Sequence, residues 1–357
     1  MASASDVPAR AKALPLVSII IPHFNGKEIL SRCLDSLATT EYANKEIIVV
    51  DNASTDGSAD EVRRAHPEIR LVRNRENRGY AGGCNSGLPS AHGEYLLFLN
   101  NDTEVEPNWL TNLIEFCEQD HRIAACQPKL LSGHNRAVFD YAGAAGGEID
   151  IFGYPFARGR IFFTCERDDG QYDGGGDIFW ASGAAIIVRK VALQRVGSFD
   201  EDFFAHMEEI DLNWRFHLAG YRVLAAPSAR VYHNAGSTLQ PDSPEKILLN
   251  HRNNLIMILK NYELKNLLWI FPIRIFFEIL TLFYSLLKLD RLRAKAVVAA
   301  LVFVAAHAKQ IREKRRAVQS LRRIPDRRIF GKMYRGSILL AYFVRGIRRY
   351  QDLKINA

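Results

Sequence analysis

Short, densely apolar runs alternate with longer amphipathic ones through the first third of the chain. Val17-Ser-Ile-Ile-Ile21 is β-branched and closes on Pro22, as expected of a strand buried on both faces. Between Lys27 and Ala38, residues Ile29, Leu30, Cys33, Leu34 and Leu37 recur at helical spacing. Glu46-Ile-Ile-Val-Val50 predicts a second strand ending at Asp51, then a polar turn to Gly57 and a helix through Val62 and Ala65. Ile69–Val72 and Tyr95–Leu99 read as two further strands, Tyr80–Leu88 and Glu106–Gln119 as helices. This alternation predicts an α/β, Rossmann-like fold with a mostly parallel sheet and flanking helices. In such sheets ligands sit beyond the carboxyl ends of the strands. Polar clusters fall there: Pro22-His-Phe-Asn25, Asp51 to Asp56 and Asn100-Asn101-Asp102.

Composition sharpens the picture where it divides the chain. Of 47 Lys and Arg and 40 Asp and Glu, residues 251–357 hold 23 and 6, leaving 24 and 34 for the rest. An acidic part followed by a strongly basic one implies two different partners. The 48% hydrophobic content supports a packed core. Five scattered cysteines without a CxxC pair argue against a disulfide framework or structural zinc, and for a reducing compartment. Residues 1–16 lack a signal-peptide core and read as a flexible tail, which keeps the catalytic part in the cytoplasm. No GxGxxG follows the first strand and no GxxxxGK[ST] occurs, which disfavours a dehydrogenase or P-loop NTPase.

The order and spacing of Val17–Asn25, Val49–Gly57, Asn77–Gly87, Leu97–Asp102, Ser182-Gly183, Gly197–Phe204, Glu208–Arg215 and His233 resemble family 2 glycosyltransferases. Within that family the chain is most similar to rhamnosyltransferase-type enzymes that build bacterial cell-surface polysaccharides, lipopolysaccharide among them. The resemblance implies a GT-A domain over residues 17–245. It also implies inverting transfer from a dTDP- or UDP-sugar, dTDP-rhamnose included, to a glycan or polyprenyl-diphosphate-linked acceptor.

The departing diphosphate needs charge neutralisation, for which Mg²⁺ or Mn²⁺ with carboxylate ligands is suited. The family's Asp-x-Asp motif reads Asn100-Asn101-Asp102 here, so Asp102 keeps the metal position while Asn100 and Asn101 are left to the nucleotide sugar. His233 matches the family's metal-binding histidine. By the same resemblance, Asp51 would accept from the N3–H of uracil or thymine. Pro22, Phe24, Asn25, Asn52, Asn77 and Gly79 would line the donor site. An inverting transfer wants a carboxylate base for the acceptor hydroxyl. Glu209 takes that role, Asp211 is the second candidate, and Glu208 and Trp180 are placed toward the acceptor. The run Gly174-Gly-Gly176 before Trp180 predicts a mobile loop closing over the donor.

Residues 246–357 read as helical and membrane-associating. Leu267–Leu287 is long enough to span a bilayer, but Pro272, Arg274 and Glu278 interrupt it. Basic amphipathic helices rich in aromatics predict shallow insertion among anionic lipids at the cytoplasmic face of the inner membrane. A helical dimerisation arm is the other reading, and no nucleic-acid recognition motif occurs. A sugar nucleotidyltransferase, or a non-catalytic membrane-bound scaffold with a degenerate site, stand as alternatives to the transferase.

Overall fold

The computed structural model describes residues 13–234 and 243–353. Most of the expected tail, and residues 235–242 ahead of the expected boundary at 245/246, therefore lie outside the described residues, while that boundary itself falls within a helix. The end of that tail is not loose. Tyr42 donates to the Pro15 carbonyl at 2.7 Å, and Glu94 N donates to Leu16 O at 2.8 Å, fastening it to the sheet.

The first third follows the predicted alternation: β1 (Val17–His23), α1 (Lys27–Ala38), β2 (Lys45–Asp51), α2 (Ser58–Ala65), β3 (Arg70–Arg73), α3 (Gly79–Gly87) and β4 (Tyr95–Leu99). β1 pairs in parallel with both β2 and β4, and β2 with β3. Ile19, Ile20, Ile21, Val50, Leu97 and Phe98 are fully buried along these strands. That burial explains their near-continuous apolar runs.

Next come β5 (Thr103–Val105), α4 (Trp109–Glu118) and β6 (Ile123–Ser132). A small antiparallel sheet follows, built from β7 (Gly147–Ile149), β8 (Pro155–Ala157), β9 (Arg160–Ile161) and β10 (Thr164–Cys165). Then come β11 (Gly176–Asp177), β12 (Ala185–Arg189), α5 (Lys190–Val196), α6 (Glu208–Leu218) and β13 (Arg222–His233). The large sheet runs β11-β13-β6-β12-β4-β1-β2-β3, with β5 paired to β13. β12 lies antiparallel between β4 and β6. The sheet is thus parallel on the β1–β4 side and mixed beyond it.

The glycine run, expected as a mobile loop, is tied into the large sheet at its end. Gly176 and Asp177 form β11 against Ala225 and Leu224, and Arg158 donates to the carbonyls of Gly175 and Asp177.

The last third comprises α7 (Pro244–Asn261), α8 (Leu264–Leu287), α9 (Arg291–Ala306), α10 (Ala308–Ser320) and α11 (Asp326–Ile329), then a π-helical turn, Leu340–Val344. The shift in charge near residue 250 is not a shift in packing. Ile210, Trp214 and Leu218 of α6 share one core with Leu255, Met257, Ile258, Ile270, Val304 and Ile311. Arg274 and Glu278, which interrupt the apolar run of α8, face inward and pair at 2.6 Å. The outer face of α8 keeps Leu268, Phe276, Leu280, Phe283 and Leu287 exposed.

Candidate active site

A cavity of about 370 Å³ opens where β4, β13 and the start of α6 converge. Asn100, Asp102, His233, Glu208 and Glu209 all line it, together with Tyr80, Trp180, Ser182 and His206.

The β4 strand delivers Asn100 and Asp102 because its apolar run stops at Leu99 and the chain turns into β5. β13 brings His233 alongside through its pairing with β5, where His233 stands opposite Thr103. Asp102 is 3% exposed, and its Oδ1 lies 3.1 Å from His233 Nε2. That contact is an ion pair without hydrogen-bond alignment, so Oδ1 is an enclosed acceptor that no donor satisfies. On the far side of the ring, Nδ1 donates to Asp140 at 2.9 Å. Burial opposes charge on this imidazole, yet Asp102 and Asp140 together lift it to about 10. The Asn100 amide is 3.2 Å from the same Nε2. Among the described residues no group of three or more His, Cys, Asp or Glu is disposed to hold an ion alone. Asp102 and His233 are the groups here that could share in holding a cation, which would first have to displace the imidazole's Nε2 proton. The second ring nitrogen is fixed by a carboxylate, the usual support of a metal-bound histidine. A cation that also takes substrate phosphates needs little more from the protein.

Glu208 and Glu209 open α6 after a contorted approach: Phe204, His206 and Met207 all have positive φ. Such backbone persists only when its surroundings hold it. Here the Asn253 amide of α7 donates to the carbonyls of Phe203, Ala205 and His206 at 2.8–2.9 Å. Gly79 presses on the same loop: a Cβ there would lie 2.4 Å from the Phe204 carbonyl oxygen. Oε2 of each glutamate is enclosed and without a partner. Burial raises Glu209 to about 7, and burial together with the Glu209 charge holds Glu208 well above the carboxylate range. The pair therefore keeps a proton near neutral pH.

Asp211 does not belong to this cavity. It is fully buried, contacts Arg215 and Lys260 at 3.0 Å each, and accepts from Asn261 at 2.8 Å. It joins α6 to α7 and is not placed to take a proton from an acceptor. Trp180 does line the cavity, but as fixed wall: its indole N–H donates to Glu148 O at 2.8 Å and its ring covers Gly147.

Apart from Asn100, which lines the cavity, the expected donor residues lie outside it, most of them around the ends of β1 and β2. Asn101 links the two regions through His23 Nδ1 at 2.7 Å. Asn52 donates to Gly79 O and accepts from Asn74, while Asn77 accepts from Gly79 N, so these three shape the loop before α3. Asn25, at φ 54, accepts from Thr55 N and donates through its own N–H to Ser54 Oγ. Pro22 is buried beneath them, close to Gly83, and Phe24 stands exposed at the rim. Asp51 shows no surface. It accepts from Ser54 N and pairs with Arg73 at 3.2 Å, so the half-exposed Arg73 is the group presented there. Sequence reasoning missed Arg73, Asp140 and Asn253. Only Arg73, at the end of a predicted strand, carried a positional signal.

Residues 18–172 match the family described as glycosyl transferase family 2. A 265-residue stretch is 26% identical to the N-acetylglucosaminyl-diphospho-decaprenol L-rhamnosyltransferase of Mycobacterium tuberculosis, covering 69% of this chain and 83% of that one. The O-antigen biosynthesis protein RfbC of Myxococcus xanthus is 29% identical over 239 residues, 65% of this chain but 18% of its own length. In fold, the chain is similar to a mannosyltransferase from Pyrobaculum calidifontis solved with GDP-Man and Mn²⁺. The TM-score is 0.52 at 19% identity, over 85% of this chain and 79% of that one.

Proposed function

We infer from the family 2 glycosyltransferase domain over residues 18–172 that the chain transfers a sugar from a nucleotide diphosphate in cell-surface polysaccharide synthesis. The donor is a dTDP- or UDP-sugar and the acceptor a polyprenyl-diphosphate-linked glycan, as the name of the mycobacterial relative suggests. The observation that carries this reading is the single cavity shared by Asp102, His233, Glu208 and Glu209.

Glu209 accepts the proton of the acceptor hydroxyl as its oxygen bonds to the anomeric carbon. The bond from that carbon to the phosphate oxygen breaks on the opposite face, and its electron pair leaves with the nucleoside diphosphate. Inversion follows from that geometry. Glu208, which keeps its proton at neutral pH, can donate a hydrogen bond to the sugar. Asp102 and His233 would hold a divalent cation, with Asp140 fixing the imidazole. Bound there, Mg²⁺ or Mn²⁺ supplies charge neutralisation for the leaving diphosphate. Asn100 and Asn101 border the donor sugar, and Phe24 and Arg73 bound the nucleotide.

The exposed apolar face of α8 and the basic α9–α10 segment support shallow attachment to anionic lipid at the cytoplasmic face of the inner membrane. α8 is also long and apolar enough to cross a membrane by length and composition. Its inward ion pair and packed inner face favour lying in the surface.

A panel of nucleotide sugars, each incubated with the protein and Mn²⁺ or with EDTA, tests the function. Release of nucleoside diphosphate from one or a few donors, abolished by EDTA, is the expected result. No turnover of any donor with a lipid-diphosphate sugar present would refute it.

A further inference from the structure

Five Lys and Arg residues are buried among the described residues: Lys129, Arg160, Arg215, Lys260 and Arg274. Four are compensated at short range. Lys129 meets Asp168 at 2.8 Å, Arg215 meets Asp211 at 3.0 Å, Lys260 meets Asp200 at 2.6 Å and Arg274 meets Glu278 at 2.6 Å. Arg160 is the exception. It is 7% exposed, its Nε is enclosed with no hydrogen-bond partner, and no carboxylate among the described residues comes within ion-pair distance. Its guanidinium carbon lies 4.6 Å from the Tyr141 ring centroid, and both residues line the active-site cavity. Arg158, two positions earlier, shows the ordinary solution, with Nε donating to Glu148 at 2.9 Å. A buried, unpaired guanidinium is costly unless an anion meets it. Arginine's planar fork suits phosphate.

An apolar path leads away from this charge. Phe162 also lines the cavity, and its ring lies 5.1 Å from Tyr342 and 5.4 Å from Phe343. Phe163, Leu340, Phe343 and Val344 follow, exposed by 77%, 48%, 59% and 75%. A cation at the cavity wall with an aromatic and aliphatic apron outside it fits an amphiphile with a phosphate head. The donor's own diphosphate is the other source of such an anion. However, Phe24, Asp51, Asn52 and Asn77 do not line this cavity, and Arg160 belongs to the small sheet rather than to the β1–β4 edge.

We propose that Arg160 is the subsite for the phosphate of a lipid-linked acceptor, whose hydrocarbon chain leaves across Phe162 toward Leu340–Val344. This rests on the glycosyltransferase reading of the cavity and names the chemistry of its acceptor side.

The test is direct binding to the full chain by calorimetry, using farnesyl diphosphate, farnesol and UDP as probes. Wild type, Arg160→Met and Arg160→Lys are compared, with melting temperatures measured alongside. The expected result is a tenfold or greater loss of farnesyl diphosphate affinity in Arg160→Met. Arg160→Lys, which keeps the charge without the fork, should recover part of it. Farnesol and UDP affinities should change less than twofold. Equal loss of UDP affinity would assign Arg160 to the donor, and unchanged farnesyl diphosphate affinity would remove the subsite. Either overturns the proposal. Should Arg160→Met fail to fold, Arg160→Lys alone decides it: a reduced affinity for farnesyl diphosphate with farnesol and UDP unchanged supports the subsite, and wild-type affinity for farnesyl diphosphate refutes it. The proposal and the function fail separately. Arg160-dependent binding without sugar transfer defeats the function, whereas transfer with an unchanged acceptor KM in the variants defeats the subsite.

Discussion

At the scale of single residues, the glutamate pair is the most perturbed feature of the cavity. Both carboxylates are enclosed, and burial pushes each of them upward, with the Glu209 charge adding to the rise at Glu208. With Glu209 near 7, the fraction of enzyme holding a free base grows as pH rises through neutrality. The kcat/KM profile should therefore show an acid limb close to pH 7. Glu209→Gln should lose about a hundredfold or more of the rate, the usual span for general base catalysis, together with that limb. Stability should move the other way. The folded pKa lies above the unfolded one, so the native state holds the extra proton and stability falls as pH rises from the ordinary carboxylate range through 7. Glu209→Gln should therefore raise the melting temperature at pH 8 and change it less at pH 5. Asp140→Asn tests the metal half of the site. Without a carboxylate behind its ring, His233 loses orientation, and about 10- to 100-fold more Mn²⁺ should be needed for half-maximal rate. Wild-type metal response in that variant would argue against His233 as a ligand.

At the scale of elements, α6 and α7 act as one unit. Asp211, Lys260, Asp200 and Asn261 join them inside the core. Removing one partner of a buried ion pair leaves the other uncompensated, so Lys260→Met or Asp211→Ala should cost about 3–5 kcal/mol in denaturant unfolding. A cost under 1 kcal/mol would show that water reaches the joint. Here the limits of sequence are physical. β1 and β4 were legible because each is a short apolar run buried on both faces, and β2 because its second half is. β12 is equally apolar, but nothing local tells that it inserts antiparallel between β4 and β6. The acidic cluster at Glu208 was legible as a candidate, while the directions of its side chains were not. On a helix two residues are about 200° apart, so Asp211 points away from the face that carries Glu209. The triple glycine looked mobile because glycine permits it. Pairing with β13 removed that freedom. Asp140 and Arg160 matter only through partners or cavities distant in sequence, and no periodic pattern marks them.

For the whole molecule, the change from acidic to basic composition identified a second surface but not a second body. The C-terminal helices complete the core beneath α6 and turn an unpartnered apolar face outward. Phe276, Leu280, Phe283 and Leu287 recur at helical spacing on that face, and burying them in lipid would offset their exposure. The double variant Phe276→Glu, Phe283→Glu should keep its circular dichroism and lose co-sedimentation with phosphatidylglycerol vesicles. Failure of the wild type to bind such vesicles, at low and physiological salt alike, would remove the membrane from this picture.

The central claim is that Asp102 and Glu209, which line one cavity, serve one reaction. Initial rates of nucleoside diphosphate release, with the active donor and a lipid-diphosphate acceptor, test it when measured across Mn²⁺ concentration for wild type, Asp102→Asn and Glu209→Gln. We expect Asp102→Asn to need much more Mn²⁺ and to raise the donor KM. Glu209→Gln should keep the wild-type donor KM while kcat falls about a hundredfold or more. Near-wild-type turnover in Glu209→Gln, or an unchanged metal response in Asp102→Asn, would contradict it.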